Sequence, residues 1–253
     1  MSLLSLKNLS VSIANTRICN NLDLQINQGD CWLVLGKNGT GKTTLIHTLA
    51  GLRAADSGDI FLHDKKLSEY GARQRAQQVG VLLQHDEEIF PATVLESTLS
   101  GRHPHLHWLQ WEGSRDKAIA NKALEQMDLG SFSEREIHSL SGGERRRMNM
   151  ARLLTQDPNI ALLDEPANHL DLQHQVQSLG ILHHHFSNRA LLMSVHDINL
   201  AIRFGTHALL LFGQGETLAG TCDEVINIDN LQKLYGVDIK EVKGEKHRLF
   251  YVS

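Results

Sequence analysis

Apolar and polar residues alternate loosely through Leu3 to Ile13 and cleanly through Leu22 to Ile26, the period-two signature of half-buried strands. Asn27 to Asp30 reads as a turn. Cys31 to Leu35 is a short unbroken apolar run, suited to a strand buried on both faces. Gly36 to Gly41 is glycine-rich; from Lys42 to Ala50 the apolar positions follow the helical period, and Gly51 stands where a helix is expected to stop. Val79 to Leu83 is strand-like. Strand signals then vanish from about Glu87 to Thr155, where Ser114 to Leu129 and Glu144 to Leu154 carry helical patterns. They return at Ile160 to Leu163, Leu191 to Val195 and Ala208 to Phe212, and Gln214-Gly215 reads as a hairpin turn. Strands alternating with helices predict an α/β fold, a mainly parallel sheet covered on both faces, with a helical insertion at about residues 87–155. One domain over residues 1–253 is expected, its core formed by about 1–86 and 156–253.

Composition narrows the functional classes. With 253 residues, 41% apolar and 21% charged, the chain has the make-up of a globular protein with a sizeable core. A formal net charge of −4 offers no basic field for nucleic acid. Cys19, Cys31 and Cys222 are widely spaced, with no CxxC, as expected in a reducing compartment. No apolar run approaches the roughly 20 residues that cross a bilayer, and the N-terminus carries no signal-peptide pattern. Any membrane contact is therefore expected to come through a partner.

The chemistry concentrates at two places. Gly36 to Thr43 follows the phosphate-loop pattern, after a strand and at the opening of a helix. Gly36, Gly39 and Gly41 let the backbone curl around Asn38, so that its N–H groups face phosphate oxygens, and the helix N-terminus with Thr44 adds partial positive charge. Lys42 is placed to neutralise β- and γ-phosphate charge, and the Thr43 hydroxyl to ligate Mg²⁺. The second place is Asp164-Glu165-Pro166 at the carboxyl end of the apolar strand Ile160 to Leu163, where α/β proteins bind ligands. Asp164 is the expected Mg²⁺ ligand and Glu165 the acceptor of a proton from attacking water.

Leu140-Ser-Gly-Gly-Glu144 is a further N–H-rich turn at a helix start. With it, the whole chain resembles the nucleotide-binding subunit of ATP-binding-cassette (ABC) transporters. That resemblance implies a P-loop NTPase core with an antiparallel β part and an inserted helical subdomain, ATP and Mg²⁺ as cofactors, and hydrolysis between two subunits arranged as a homodimer. It implies that Ser141 and Gly143 contact the γ-phosphate held by the other subunit. Gln84 matches the glutamine that senses Mg²⁺ and water; Ala167 to Asp171 matches the loop touching the two-fold mate; His196 matches the switch histidine beside the γ-phosphate. Length, the stretch Ser194 to Ala201 and the ending Leu231 to Val237 resemble subunits of importers for ferric siderophores, haem and cobalamin. Such a subunit works at the cytoplasmic face of the inner membrane, bound peripherally through integral permease subunits, in a system with an extracytoplasmic substrate-binding protein and no nucleic acid. An exporter subunit, or a cytosolic ABC ATPase of iron–sulfur cluster assembly, would carry the same motifs. Tandem translation cassettes and coiled-coil repair ATPases fit less well, because one phosphate loop is present and sustained heptads are not.

One family feature is missing. Where an aromatic ring usually stacks on adenine, this chain has Ile13 in a stretch without aromatics, and Arg17 is an alternative through cation–π contact. Three other features have plainer readings. His183 to His185 diverge by about 100° per residue on a helix and cannot converge on one ion. His103 to His107 with Trp108 and Trp111 reads as a loop with packed tryptophans, docking against a membrane partner being the other reading. Arg145 to Arg147 could suggest nucleic acid, but the run sits on the helix after the Leu140–Glu144 turn, where the resemblance implies that cations are common.

Overall fold

The computed structural model describes residues 2–14, 16–84, 91–107, 109–244 and 248–253. The expected boundary at 86–87, and Trp108, lie outside them. In chain order the core begins with β1 (Ser2–Ile13), β2 (Thr16–Asn27), β3 (Cys31–Gly36), α1 (Lys42–Leu49), β4 (Ser57–Leu62), β5 (Lys65–Lys66), α2 (Ala72–Gln78) and β6 (Val79–Leu82). Three helices follow, α3 (Val94–Leu99), α4 (Ser114–Gln126) and α5 (Gly142–Gln156). The chain returns through β7 (Ile160–Leu163), α6 (Leu172–His185), β8 (Ala190–Ser194), α7 (Ile198–Ile202), β9 (His207–Gly213), β10 (Glu216–Thr221), α8 (Cys222–Val225) and α9 (Ile228–Tyr235), and ends in the hairpin β11 (Ile239–Lys243) and β12 (Arg248–Val252).

The central sheet runs β10-β9-β3-β8-β7-β6, parallel from β9 to β6 with β10 antiparallel at one edge. Its inner strands β3, β7 and β8 are buried along their whole length, which is why they read as unbroken apolar runs. Alternate side chains serve two cores. Val34, Leu162 and Leu192 face α1 and the antiparallel sheet β2-β1-β4-β5, whereas Leu35, Leu163 and Met193 face α5 and α6. Fully burying each such side chain contributes roughly 1.5–3 kcal/mol, so both layers are pinned to the sheet. Gln214 and Gly215, with φ of 54° and 87°, make the two-residue turn between β9 and β10, the left-handed pair that a tight hairpin requires. α1 ends as its pattern predicts, Gly51 following at φ 69°.

The strand order positions the chemistry. β3, β8, β7 and β6 lie side by side and run the same way, so the segments after their carboxyl ends emerge along one edge. Those segments are the glycine-rich loop, His196, Asp164-Glu165 and Gln84.

Candidate functional site: a phosphate loop facing an acid turn

The loop after β3 owes its shape to two glycines. Gly39 and Gly41 have φ of 80° and 95°, a region side chains adopt rarely. A Cβ on Gly41 would lie 2.4 Å from Ile18 Cγ1, whereas one on Gly39 would meet nothing within 4 Å. The first therefore packs the loop against β2, and the second faces open space. Gly41 caps α1 with no side-chain acceptor. Lys42 is buried at the helix start and its Nζ donates to the carbonyls of Gly36 at 2.9 Å and Lys37 at 3.2 Å. Burial pulls the ammonium below the usual lysine range, and the nearby Glu165 and Asp164 carboxylates oppose that pull.

Across the cleft the acid turn is tightly held. Glu165 has φ 48°, and its N–H donates to Ser194 Oγ at 2.8 Å. The same hydroxyl donates to Asp164 Oδ1 at 2.6 Å, so one serine at the end of β8 fixes both acids. Gln84 Nε2 donates to Glu165 Oε2 at 2.9 Å, Asn168 Nδ2 donates to the same oxygen, and His196 Nε2 shares a hydrogen bond with Oε1. Asp164 is 0% exposed, and its second oxygen, Oδ2, is buried with no hydrogen-bond partner. A buried carboxylate oxygen left unpaired is costly unless something charged or hydrogen-bonding meets it. Hard, oxygen-seeking divalent cations are the natural complement.

A cleft of about 400 Å³ brings together Ile13, Asn38, Gly39, Gly41, Lys42, Thr43, Thr44, Gln84, Glu165 and His196. Gly36 lies behind it as an acceptor for Lys42, and Asp164 lies buried beside Glu165. Ser141 and Gly143 are elsewhere, in a separate hollow of about 600 Å³ with Glu144, Arg147, His169, Leu170, Asp171 and His174. Arg17 stands against the β9–β10 turn, where a Cβ on Gly215 would meet its Cδ at 2.8 Å.

Three participants escape the sequence reading: Ser194, Asn168 and Arg146. Ser194 had a signal, a lone hydroxyl closing an otherwise apolar strand just before His196. Asn168 had a weaker one, three residues beyond Glu165. Arg146 had none to separate it from its neighbours. Within the arginine run, Arg146 and Arg147 are buried, their guanidiniums turned inward onto backbone carbonyls. The three adjacent histidines diverge, His183 packing on Phe204 and His185 pairing with Asp157 at 3.0 Å.

A phosphate loop and an acid turn at the carboxyl edge of a parallel sheet define a P-loop nucleotide-binding protein. The family described as ABC transporter matches residues 19–168. The petrobactin import ATP-binding protein of Bacillus anthracis is 34% identical over 226 residues, covering 88% of this chain and 83% of its own. The hemin import ATP-binding protein of Pseudomonas fluorescens is 36% identical, covering 94% of each. Among solved structures, a chain of a metal-chelate type ABC transporter in an inward-facing conformation superposes with a TM-score of 0.85 at 27% identity, covering 100% of this chain and 97% of that one. The chain belongs to the ABC transporter family, and within it to the ATP-binding subunits that hydrolyse ATP.

Proposed function

We propose that this chain powers import of an iron chelate, haem or cobalamin by hydrolysing Mg-ATP as a homodimer at the cytoplasmic face of the inner membrane, docked on integral permease subunits and served by an extracytoplasmic substrate-binding protein. The observation that carries the chemistry is the Glu165 carboxylate, held by Gln84, Asn168 and His196 in the same cleft as Lys42. The cargo reading rests on relatives named for importing petrobactin, iron(3+)-hydroxamate and hemin. Residues 87–155 form, in this reading, the helical subdomain of a single cassette domain.

The residues divide the work. The N–H groups of the loop around Asn38, Gly39 and Gly41, with Lys42, Thr43 and Thr44, bind and orient the triphosphate. Thr43, Asp164 and Gln84 would hold Mg²⁺, and Asp164 Oδ2 is the oxygen left over for it. Held there, it would supply positive charge against the phosphate oxygens. Glu165 accepts a proton from the water that attacks the γ-phosphorus while the bond to ADP breaks. His196 and Gln84 hold the carboxylate toward that water. Ile13 covers the base side of the cleft.

Glu165→Gln tests the assignment. The amide keeps the size and loses the base, so turnover is expected to fall by about 10²–10⁴-fold while ATP still binds. Lys42→Ala is expected to weaken ATP binding itself, through loss of a charge-assisted contact. Hydrolysis by Glu165→Gln within a few-fold of wild type refutes the role of Glu165.

A further inference from the structure

The three arginines after the signature turn point in three directions, as adjacent helix positions do. Arg147 Nη1 donates to the Met127 and Asp128 carbonyls at 2.7 and 3.0 Å, closing the end of α4. Arg145 reaches the Ile137 carbonyl at 3.5 Å. Arg146 alone turns toward the acid turn. It is 6% exposed, and its guanidinium donates to four backbone carbonyls: Pro166 at 3.1 Å, Asp164 at 2.5 Å, Glu165 at 2.9 Å and Leu83.

Those four acceptors belong to two separate loops. Leu83 immediately precedes Gln84, and the other three are the acid turn itself. One planar group thus ties the two segments whose side chains meet at the Glu165 carboxylate. A guanidinium suits this because its N–H groups form a rigid fork, which an ammonium on a flexible stem does not reproduce. Glu165 is also in the left-handed region at φ 48°, a conformation that persists where surrounding contacts over-determine it. Arg146 supplies such contacts to its carbonyl and to those on either side.

The same residue belongs to α5, whose N-terminus is the signature turn. Ser141 caps that helix and Arg146 lies five residues on, about 7.5 Å along the axis at 1.5 Å per residue. Any displacement of the signature turn therefore reaches Asp164, Glu165 and Leu83 through a rigid helix and a fork of hydrogen bonds. We propose that Arg146 is a positioning residue that holds Glu165 and Gln84 in register and links the signature turn, which faces one nucleotide, to the hydrolytic carboxylate, which acts on the other. This rests on the roles proposed above for Glu165 and Ser141.

The test compares Arg146→Met, Arg146→Lys and Glu165→Gln in the full chain, measuring kcat, KM, ATP affinity and melting temperature. Arg146→Met is expected to lower kcat by about 10²-fold, the scale of an ångström-sized misplacement, with ATP affinity within a few-fold of wild type because the phosphate loop is untouched. Arg146→Lys is expected to recover part of kcat, since it restores a donor without the fork. Wild-type kcat in a folded Arg146→Met variant overturns the inference. So does a parallel fall in kcat, affinity and melting temperature, which marks a merely structural role. Should Arg146→Met fail to fold with its four carbonyls unpaired, Arg146→Lys decides, and wild-type kcat there overturns the inference equally. Turnover in Glu165→Gln would instead remove the parent assignment, whatever Arg146 does.

Discussion

Ile13 lines the cleft and is 41% exposed. An aliphatic branch gives a base apolar contact but no π-face, and Arg17 stands against Gly215 rather than lining the cleft. Aromatic stacking adds about 0.5–1.5 kcal/mol beyond area burial, roughly a factor of two to ten in affinity. Binding here must lean on the triphosphate, which every nucleoside triphosphate shares. GTP is therefore expected to be hydrolysed at a rate comparable to ATP, and Ile13→Tyr to lower the KM for ATP modestly with little change in maximal rate. Steady-state kinetics on both nucleotides decide it, and a wild-type preference for ATP far above tenfold contradicts this placement of the base. Much of the residue scale was legible because a phosphate loop and an acid turn use particular residue types at particular spacings, and the structure brings Gly39, Lys42 and Glu165 into one cleft. Arg146 was not. Its contribution depends on which way one of three adjacent arginines points, and that is settled by the packing of α5 against α4 and β6.

Helix α5 shows how an element is held and how it can be loosened. Ser141 Oγ accepts from the Glu144 N–H at 3.3 Å, and Glu144 Oε2 accepts from the Ser141 N–H at 2.7 Å, a reciprocal capping box. The backbone and side-chain hydrogen bonds with Ser141 hold the Glu144 carboxyl below its ordinary value. A depressed folded value means stability that is present above the unfolded value of about 4.5 and lost as pH falls through the folded one. Glu96 on α3 and Glu224 on α8 are depressed by the same kind of cap. The stability difference between wild type and Glu144→Gln is therefore expected to be constant near neutral pH and to shrink under acid conditions, measurable by denaturant titration across pH. A difference that grows on acidification contradicts the cap. The periodic helices α1 and α5 and the unbroken apolar strands β3 and β8 are also the elements the sequence reveals. β4 and the C-terminal hairpin escape it for the opposite reason. β4 opens on Ser57-Gly58, both exposed. In the hairpin, Val242, Leu249 and Tyr251 face outward while Ile239 and Phe250 face in, so apolar residues on both faces leave no period to detect.

At the scale of the whole molecule, the groups suited to a phosphate are divided between two hollows. Lys42 and Glu165 line one, Ser141 and Gly143 the other, so one copy cannot close both sets on one nucleotide. In the homodimer proposed above, head-to-tail pairing of two copies would do so twice, by symmetry. Glu165→Gln is expected to dimerise with Mg-ATP and stay largely monomeric with Mg-ADP, and Ser141→Arg to block that dimer by crowding the composite site; light scattering giving one mass in both nucleotides contradicts it. The complementary question is which surface meets the membrane partner. Among the described residues no helix is long and apolar enough to cross a membrane, so attachment through another protein is the route this reading requires. Leu109 and Trp111, between β6 and α4, are 88% and 87% exposed; the packed tryptophan expected at Trp111 is thus a projecting one. Large apolar side chains held out in water carry a solvation cost that a partner surface removes. Photo-crosslinkers at Leu109 and Trp111 are expected to capture an integral membrane protein in native membranes. Replacing both residues by Ser should release the chain from those membranes while its ATP binding is unchanged. Crosslinks to soluble scaffold proteins alone would favour an iron–sulfur assembly role instead, and undiminished membrane attachment of the double variant would place the docking surface elsewhere.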